Sequence, residues 1–151
     1  KVFIFGKTPY KLDHFSFADA AYQINDIPED VRIDHAFECV GGRGSESAIE
    51  QIITHVHPEA CVALLGVSEY PVEIETRMVL EKGITLIGSS RSGREDFART
   101  VDFLDQHPEV VDYLETLVSG RFPVRSIAEI TSIFEADLTS SWGKTVIEWE
   151  I

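Results

Sequence analysis

The stretch AFECVGGRGSESAIEQIITHV (36–56) decides how the rest of the chain is interpreted, because it passes from a strand through a glycine turn into a helix. A short apolar run comes first, Gly41 and Gly42 end it, and Ser45 is placed to cap the helix that follows. A second run, ACVALLGV (60–67), is apolar throughout, which is typical of a strand covered on both faces. The pattern predicts a β-α-β unit with parallel strands.

The other elements are predicted from the period of their apolar residues. In chain order they are a strand at 1–5, helices at 15–24 and 73–83, a strand at 84–90, helices at 94–106, 110–124 and 126–138, and a strand at 143–151. Strands that alternate with helices over short loops favour an α/β fold, a Rossmann-like parallel sheet with flanking helices.

Charge and cysteine content narrow the range of partners. Thirteen basic and 26 acidic residues give a formal charge of −13, a field that repels phosphate backbones and anionic lipids, so neither nucleic acid nor a membrane is expected as a partner. No apolar run reaches the ~18 residues of a membrane span. Cys39 and Cys61 lie in strand-like runs without a CxxC motif, which predicts buried free thiols in a reducing, cytoplasmic location.

The glycine loop itself allows two interpretations. Gly42, Gly44 and Ser47 form G-x-G-x-x-S, with Ser where a dinucleotide fingerprint has its third Gly. Glu46 places a carboxylate at the helix N-terminus, where it would compete with a phosphate for the same donors. A phosphate loop is therefore disfavoured. A stand-alone nucleotide-binding or regulatory domain that uses Gly41–Gly44 is kept as the alternative function.

Three motifs carry a family resemblance. FECVGG (37–42), ALLGV (63–67) and LEKGITLIGSSR (80–91), at matching separations, resemble the second half of the cofactor domain of zinc-type medium-chain dehydrogenases. Within that family, the resemblance is to enzymes that reduce a ketone sugar phosphate for teichoic acid synthesis. It implies that residues 1–123 are part of the cofactor domain and that residues 124–151 return toward the catalytic domain.

The resemblance also implies that this fold is incomplete. The first cofactor strand and its G-x-G-x-x-G helix are expected upstream of Lys1, which leaves the strand at 1–5 without a neighbour on one side. The family's zinc ligands also lie outside the chain, so no catalytic residue and no metal ligand are expected in it. His55 and His57, two apart on a helix, point to different faces and are interpreted as a surface helix end.

Partners follow from the same resemblance. The implied substrate is a small sugar phosphate, and a cytidylyltransferase of the same pathway is a further expected partner. A homo-oligomer is expected, either through open strand edges or along residues 84–88, the strand that joins family dimers. A pure oligomerisation module is a third interpretation, based only on those edges.

Cofactor residues are sought where parallel strands end, because ligands lie across the carboxyl ends of such sheets. Gly6, Lys7 and Thr8 follow the first strand, at the place where an acidic residue would hold the ribose 2′-hydroxyl of NAD. A lysine there would attract a 2′-phosphate, which favours NADP over NAD, and Lys11 would add a second cation. A solvated turn lysine is the alternative for Lys7.

The resemblance supplies the remaining cofactor candidates. Val40 and Gly41 are expected near the adenosine, and Leu65, Gly66 and Val67 near the nicotinamide ribose. Ser89, Ser90 and Arg91 are expected near the carboxamide, and Lys144 near the pyrophosphate. A solvated junction before a helix is the alternative for Arg91 and Arg94. The implied reaction is hydride transfer between NADP and a carbonyl polarised by zinc, which the full-length enzyme would hold elsewhere. The chain alone is expected to be inactive.

Overall fold

The computed structural model describes residues 1–139 and 142–150. Its elements, in chain order, are β1 (Phe3–Gly6), α1 (Pro9–Leu12), β2 (Ala20–Gln23), β3 (Ile33–Glu38), α2 (Gly44–His55), β4 (Val56–Leu64), α3 (Thr76–Lys82), β5 (Thr85–Gly88), α4 (Arg94–Gln106), α5 (Pro108–Glu115), β6 (Val118–Val124), α6 (Ile127–Asp137) and β7 (Lys144–Trp149). The strands pair as β1–β2, β3–β4–β5 and β6–β7, and these described pairs are all parallel. The predicted Rossmann-like α/β class is confirmed.

The chain divides into two compact units, Lys1–Arg91 and Ser92–Ile151. The first contains β1 to β5, and the second contains α4 to β7. The predicted boundary between residues 1–123 and 124–151 concerns which segment belongs to the cofactor domain, and it stays a prediction. Within the described ranges, none of the helices combines the length and the apolar character that crossing a membrane requires.

The core of the first unit lies between α2 and the β3–β4–β5 sheet. Helix α2 directs Ile49, Ile52 and Ile53 into it, at the spacing of one helix face. Val62 of β4 is fully buried in the same cluster. Because burial of each such side chain contributes about 1.5–3 kcal/mol, this cluster fixes α2, and with it the loop before α2, over the sheet.

The far end of α2 is held by a lysine from α3. Lys82 Nζ donates to the backbone oxygens of Ile53 at 2.6 Å, Thr54 at 3.0 Å and Val56 at 3.0 Å, at the point where the helical carbonyls lack partners. Desolvation of the ammonium and, second, the nearby charge of Arg32 lower the pKa of Lys82. The C-terminal end of α2 is therefore anchored by a side chain from α3.

Two predicted helices are wrong in whole or in part. The helix expected over 15–24 is absent, and Ala20–Gln23 instead forms β2, which pairs in parallel with β1. In the stretch 110–124, helix α5 ends at Glu115 and strand β6 follows. The spacing of apolar residues in a short run fits a helix and a strand almost equally well. Here both segments are strands because each pairs with a neighbouring strand.

The β1–β2 pair forms no described ladder with the β3–β4–β5 sheet. A ring contact joins β1 to α2, since the Phe5 and His55 centroids lie 6.0 Å apart. His55 is buried, with its Nδ1 3.1 Å from the Val31 carbonyl oxygen, whereas His57 is exposed. The prediction that both histidines mark a surface helix end is therefore wrong for His55, and His57, although exposed, lies in β4 and not on the helix.

Candidate cofactor-binding site

The carboxyl ends of β3, β4 and β5 meet at one edge of the sheet, because the three strands are parallel and adjacent. Glu38 is opposite Leu64, and Leu64 is opposite Gly88, so the three strands end level with one another. The residues that follow these ends share the edge where ligands of open α/β sheets bind. They include the predicted candidates Val40, Gly41, Leu65, Gly66, Val67, Ser89, Ser90 and Arg91.

Hydrogen bonds continue past the strand ends and join the turn after β3 to the turn after β4. The backbone N–H groups of Leu65 and Gly66 donate to the Glu38 carbonyl oxygen at 2.9 and 3.1 Å. Gly42 N donates to the Val67 carbonyl oxygen at 2.8 Å. The two turns are therefore one bonded unit and not two independent loops.

Two glycines allow these turns to approach each other closely. A Cβ on Gly66 would lie 2.4 Å from Gly41 N and 2.5 and 2.6 Å from the Glu38 carboxylate oxygens. A Cβ on Gly41 would lie 2.9 Å from the Val67 carbonyl oxygen, and its φ of +71° itself favours glycine. The geometry at this edge requires glycine at both positions.

A buried carboxylate links both turns. The side chain of Glu38 is 2% exposed. Its Oε1 accepts from Val40 N at 2.8 Å, Gly41 N at 3.2 Å and Ser45 Oγ at 3.1 Å, while Oε2 accepts from Gly66 N at 3.1 Å. These donors compensate the carboxylate for the hydration that it loses on burial.

Two serines extend this network toward the surface. Ser45 is buried and is not the N-cap of α2 as predicted, since Arg43 occupies that position and the Ser45 hydroxyl turns to Glu38. Ser68 Oγ donates to the Gly42 carbonyl oxygen at 2.9 Å and lies 3.3 Å from Ser45 Oγ. Sequence reasoning assigns Glu38 and Ser68 no function, although a Glu that ends an apolar strand before two glycines is a signal that could have found Glu38.

The turn after β1 has a different character. Gly6 ends the strand, and Lys7 and Thr8 lead into α1, with Lys7 and Lys11 exposed. A Cβ on Gly6 would meet only the end of the Leu12 side chain, at 2.7 Å, and that side chain can move. This turn thus carries exposed cations, and its backbone is not closely packed against other backbone atoms.

The remaining candidates lie at the end of β5 and in the second unit. Ser89 N donates to the Leu64 carbonyl oxygen at 3.3 Å, which keeps this turn beside the end of β4. Ser89, Ser90 and Arg91 are exposed, and Arg91 has a φ of +68°. Lys144 begins β7 in the second unit, so its contribution to the site stays a prediction.

Both cysteines are free thiols, but their burial differs from the prediction. Cys39 is exposed in the turn after β3, and Cys61 is partly buried in β4. Partial desolvation of the thiol and, second, the charge of Glu38 raise the pKa of Cys39. Neither thiol is therefore buried as predicted.

The edge fits part of a dinucleotide better than it fits a metal. Val40 and Val67 are 62% and 83% exposed, and a Cβ on Gly42 or Gly88 would meet no atom within 4 Å, so an apolar rim borders open backbone. By contrast, residues 1–139 and 142–150 contain no group of three or more His, Cys, Asp or Glu side chains that could hold a metal ion. The described donors do not fit a zinc site.

Comparison with known proteins agrees with this geometry. The zinc-binding dehydrogenase family matches residues 9–106, and the chain belongs to that family. The chain is 94% identical over all 151 residues to the ribulose-5-phosphate reductase of Bacillus spizizenii strain W23. It is 59% identical over 149 residues, 99% of the chain, to ribulose-5-phosphate reductase 1 of Staphylococcus aureus. The chain spans 44% of the length of each of these relatives.

Solved structures show the same relationship. The crystal structure of S. aureus TarJ in complex with NADPH is 58% identical, with a TM-score of 0.98 over 100% of this chain and 48% of that chain. The L-idonate 5-dehydrogenase of Escherichia coli, at 21% identity and a TM-score of 0.77 over 97% of this chain and 42% of that chain, shares the fold. The predicted family resemblance is confirmed.

Proposed function

We propose that this chain is the cofactor-binding part of an NADP-dependent oxidoreductase that reduces ribulose 5-phosphate to ribitol 5-phosphate. The carrying observation is the pair of hydrogen-bonded glycine turns after β3 and β4, which approach each other closely and expose Val40 and Val67 at the edge where such folds bind dinucleotides. The identity to two ribulose-5-phosphate reductases, and the NADPH complex of TarJ, support the choice of cofactor and substrate.

In this proposal the chain binds and orients the dinucleotide. Val40 and Gly41 would contact the adenosine part, residues 65–67 would pass beneath the nicotinamide ribose, and residues 89–91 would lie near the carboxamide. Lys144 would approach the pyrophosphate. When bound there, the dinucleotide would supply the hydride that reduces the ketone carbon, and these residues would hold and orient it. Zinc, when bound to a dehydrogenase of this family, polarises the carbonyl as a Lewis acid.

The preference for NADP over NAD is assigned to the turn after β1. Lys7 is exposed, and no acidic residue lies among Gly6, Lys7 and Thr8 to repel a 2′-phosphate. Lys11, also exposed on the short helix that follows, would add a second cation.

The alternative, a phosphate loop at Gly41–Gly44, has its first two backbone N–H groups already engaged. Val40 N and Gly41 N already donate to the Glu38 carboxylate, and Gly42 N donates to the Val67 carbonyl oxygen. A loop that wraps a phosphate uses such N–H groups on the ligand. The glycine turn therefore supports a role beneath the cofactor and not around its phosphates.

We further propose a cytoplasmic homo-oligomer that supplies alditol phosphate for teichoic acid synthesis, with a cytidylyltransferase as the partner that consumes this product. The reductase names of the relatives support the pathway. In the described β3–β4–β5 sheet, β5 is an edge strand, which supports an interface along that strand.

The test is a titration of the complete gene product that carries this sequence with NADPH and with NADH by calorimetry, together with an assay of NADPH oxidation in the presence of ribulose 5-phosphate. We expect tight binding that prefers NADPH and turnover with the ketose phosphate. The chain of 151 residues should bind weakly and show no turnover. Full-strength NADPH binding by the chain alone would instead support the stand-alone nucleotide-binding domain.

A further inference from the structure

We propose that Glu38 is a positioning residue for the dinucleotide, whose buried carboxylate holds the turns after β3 and β4 at the separation that the cofactor needs. The inference rests on the proposed function, because it concerns the same cleft. Glu38 does not face the ligand itself, since it is 2% exposed and its oxygens point to the backbone of both turns.

One side chain spans both turns. Its Oε1 bonds to Val40 N and Gly41 N in the first turn, and its Oε2 bonds to Gly66 N in the second. The Gly66 N–H is shared with the backbone oxygen of Glu38, at 3.1 Å, so the carboxylate adds to a bond that the backbone already makes. In the first turn, by contrast, Val40 N and Gly41 N depend on the carboxylate.

The chemistry of these contacts requires an ion that only accepts hydrogen bonds. A carboxylate has about four acceptor positions, and in this structure they meet the N–H groups of both turns and the hydroxyl of Ser45. A glutamine has one accepting oxygen and one donating NH₂. In Glu38→Gln, either orientation of the side-chain amide therefore turns its NH₂ toward a group that also donates. If the amide oxygen takes the place of Oε1, the NH₂ faces Gly66 N–H.

The positioning effect is separable from the stability of the core. The turns that Glu38 holds are the ones that expose Val40 and Val67 at the sheet edge. The packed cluster beneath α2, which includes Val62 and Ile49, lies on other residues of the sheet and of the helix. A change at Glu38 should therefore alter the spacing of the turns, whereas an equally destabilising change in the cluster should not.

The experiment compares Glu38→Gln with Val62→Ala in the complete gene product. Val62 is fully buried in β4 and is a matched control for lost stability, because its truncation leaves a cavity in the core but no new donor at the turns. The measurements are the Kd for NADPH by calorimetry, the KM values for NADPH and the ketose phosphate, and the unfolding midpoint.

We expect Glu38→Gln to raise the Kd and the KM for NADPH about tenfold, equivalent to about 1.4 kcal/mol, with the KM for the ketose phosphate unchanged. Val62→Ala should lower the unfolding midpoint but leave the Kd for NADPH within a factor of about two, because it lies outside the bonded turns. Glu38→Asp, which keeps the charge on a shorter side chain, should fall between the wild type and Glu38→Gln.

Should Glu38→Gln fail to fold, Ser45→Ala provides the second variant, since it removes one donor to Oε1 and leaves the carboxylate in place. We expect it to raise the Kd for NADPH about threefold, as one weakened hydrogen bond would. The inference would be overturned if NADPH affinity were unchanged in Glu38→Gln or in Ser45→Ala. It would also be overturned if Val62→Ala lost as much NADPH affinity as Glu38→Gln. A wild-type protein that does not bind NADPH would instead overturn the proposed function.

Discussion

Two edges of the first unit hold the cofactor candidates by different physical means. After β3 and β4, backbone hydrogen bonds, a buried carboxylate and two glycines leave almost no freedom. After β1, the exposed Lys7 stands on a turn whose glycine is crowded only by a flexible Leu12 side chain. The first edge can recognise a ligand by shape, and the second by charge.

The difference implies different responses to substitution. A change after β3 or β4 should disturb folding and binding together, because buried and backbone atoms cannot move cheaply. A change after β1 should alter the choice between cofactors while the fold stays intact, because exposed charges contribute little to stability.

The largest expected effect is that of Gly66→Ala. The new methyl group would lie 2.4 Å from Gly41 N and 2.5 Å from a Glu38 carboxylate oxygen, so the two turns must separate. We expect a loss of about 3 kcal/mol in the free energy of unfolding, at the upper end for overpacking, and a loss of NADPH binding. Denaturant unfolding measures the loss of stability, and calorimetry measures the loss of NADPH binding.

Gly88→Ala is the control for that change, since Gly88 lies at the same edge, at the end of β5, and a Cβ there meets no atom within 4 Å. Its free energy of unfolding should stay within about 1 kcal/mol of the wild type. Equal losses at both positions would show that the close approach of the two turns is not what requires glycine.

A smaller effect is expected for Gly41→Ala. Both Gly41 and Gly42 have positive φ, +71° and +57°, but only at Gly41 would a Cβ crowd a backbone atom, the Val67 carbonyl oxygen at 2.9 Å. Gly42→Ala should cost about 1–2 kcal/mol of unfolding free energy from its left-handed conformation alone. Gly41→Ala should cost about 1 kcal/mol more, from crowding. If Gly42→Ala were the more destabilising of the two, the close contact assigned to Gly41 would be wrong.

Lys7→Asp tests the charged edge. We expect NADPH binding to weaken about tenfold or more, because a carboxylate replaces the cation that we propose faces the 2′-phosphate, while NADH binding stays near the wild-type value. The unfolding midpoint should hardly move, since Lys7 is exposed. Lys11→Asp is the matched control on the next helix and should give a smaller shift in the same direction. Parallel loss of both cofactors would argue against a role in selectivity.

The smallest expected effect is chemical, at Cys39. Because desolvation and the charge of Glu38 raise the pKa of this thiol, less thiolate is present at pH 8 and alkylation by iodoacetamide should be slower than in a short peptide of the same residues. Glu38→Gln should shift the alkylation profile toward lower pH. The Cys39→Ser variant identifies the signal by mass spectrometry, and an unchanged profile would show that Glu38 does not act on the turn in this way.

Most of the first unit's frame could be predicted from the sequence. The strand–turn–helix pattern around residues 36–56 predicts β3 and α2 to within two residues, and in the second unit the helix at 94–106 has the predicted bounds. These segments have long or strongly periodic apolar patterns, which leave one interpretation. The helix predicted at 15–24 is wrong, because the four residues of β2 become a strand only through pairing with β1.

The location of the site at the strand ends could be predicted from the sequence, but the hydrogen bonds that join its turns could not. Parallel topology brings Val40, Gly41 and Gly66 to one edge, which sequence reasoning expects from the fold. That Glu38 turns inward and accepts from both turns depends on tertiary contacts between residues 28 apart in the chain. The local capping rule predicts Ser45 at the N-cap of α2, but its hydroxyl instead donates to the Glu38 carboxylate.

The most direct test of the two-edge account is a crystal structure of the complete gene product with NADPH. We expect the 2′-phosphate within about 3 Å of Lys7 Nζ, and the adenosine and nicotinamide ribose against the backbone at 40–41 and 65–67. The Glu38 hydrogen bonds should remain intact. A pyrophosphate wrapped by residues 42–47, with the N–H groups of Gly41 and Gly42 released from Glu38 and Val67, would contradict the account.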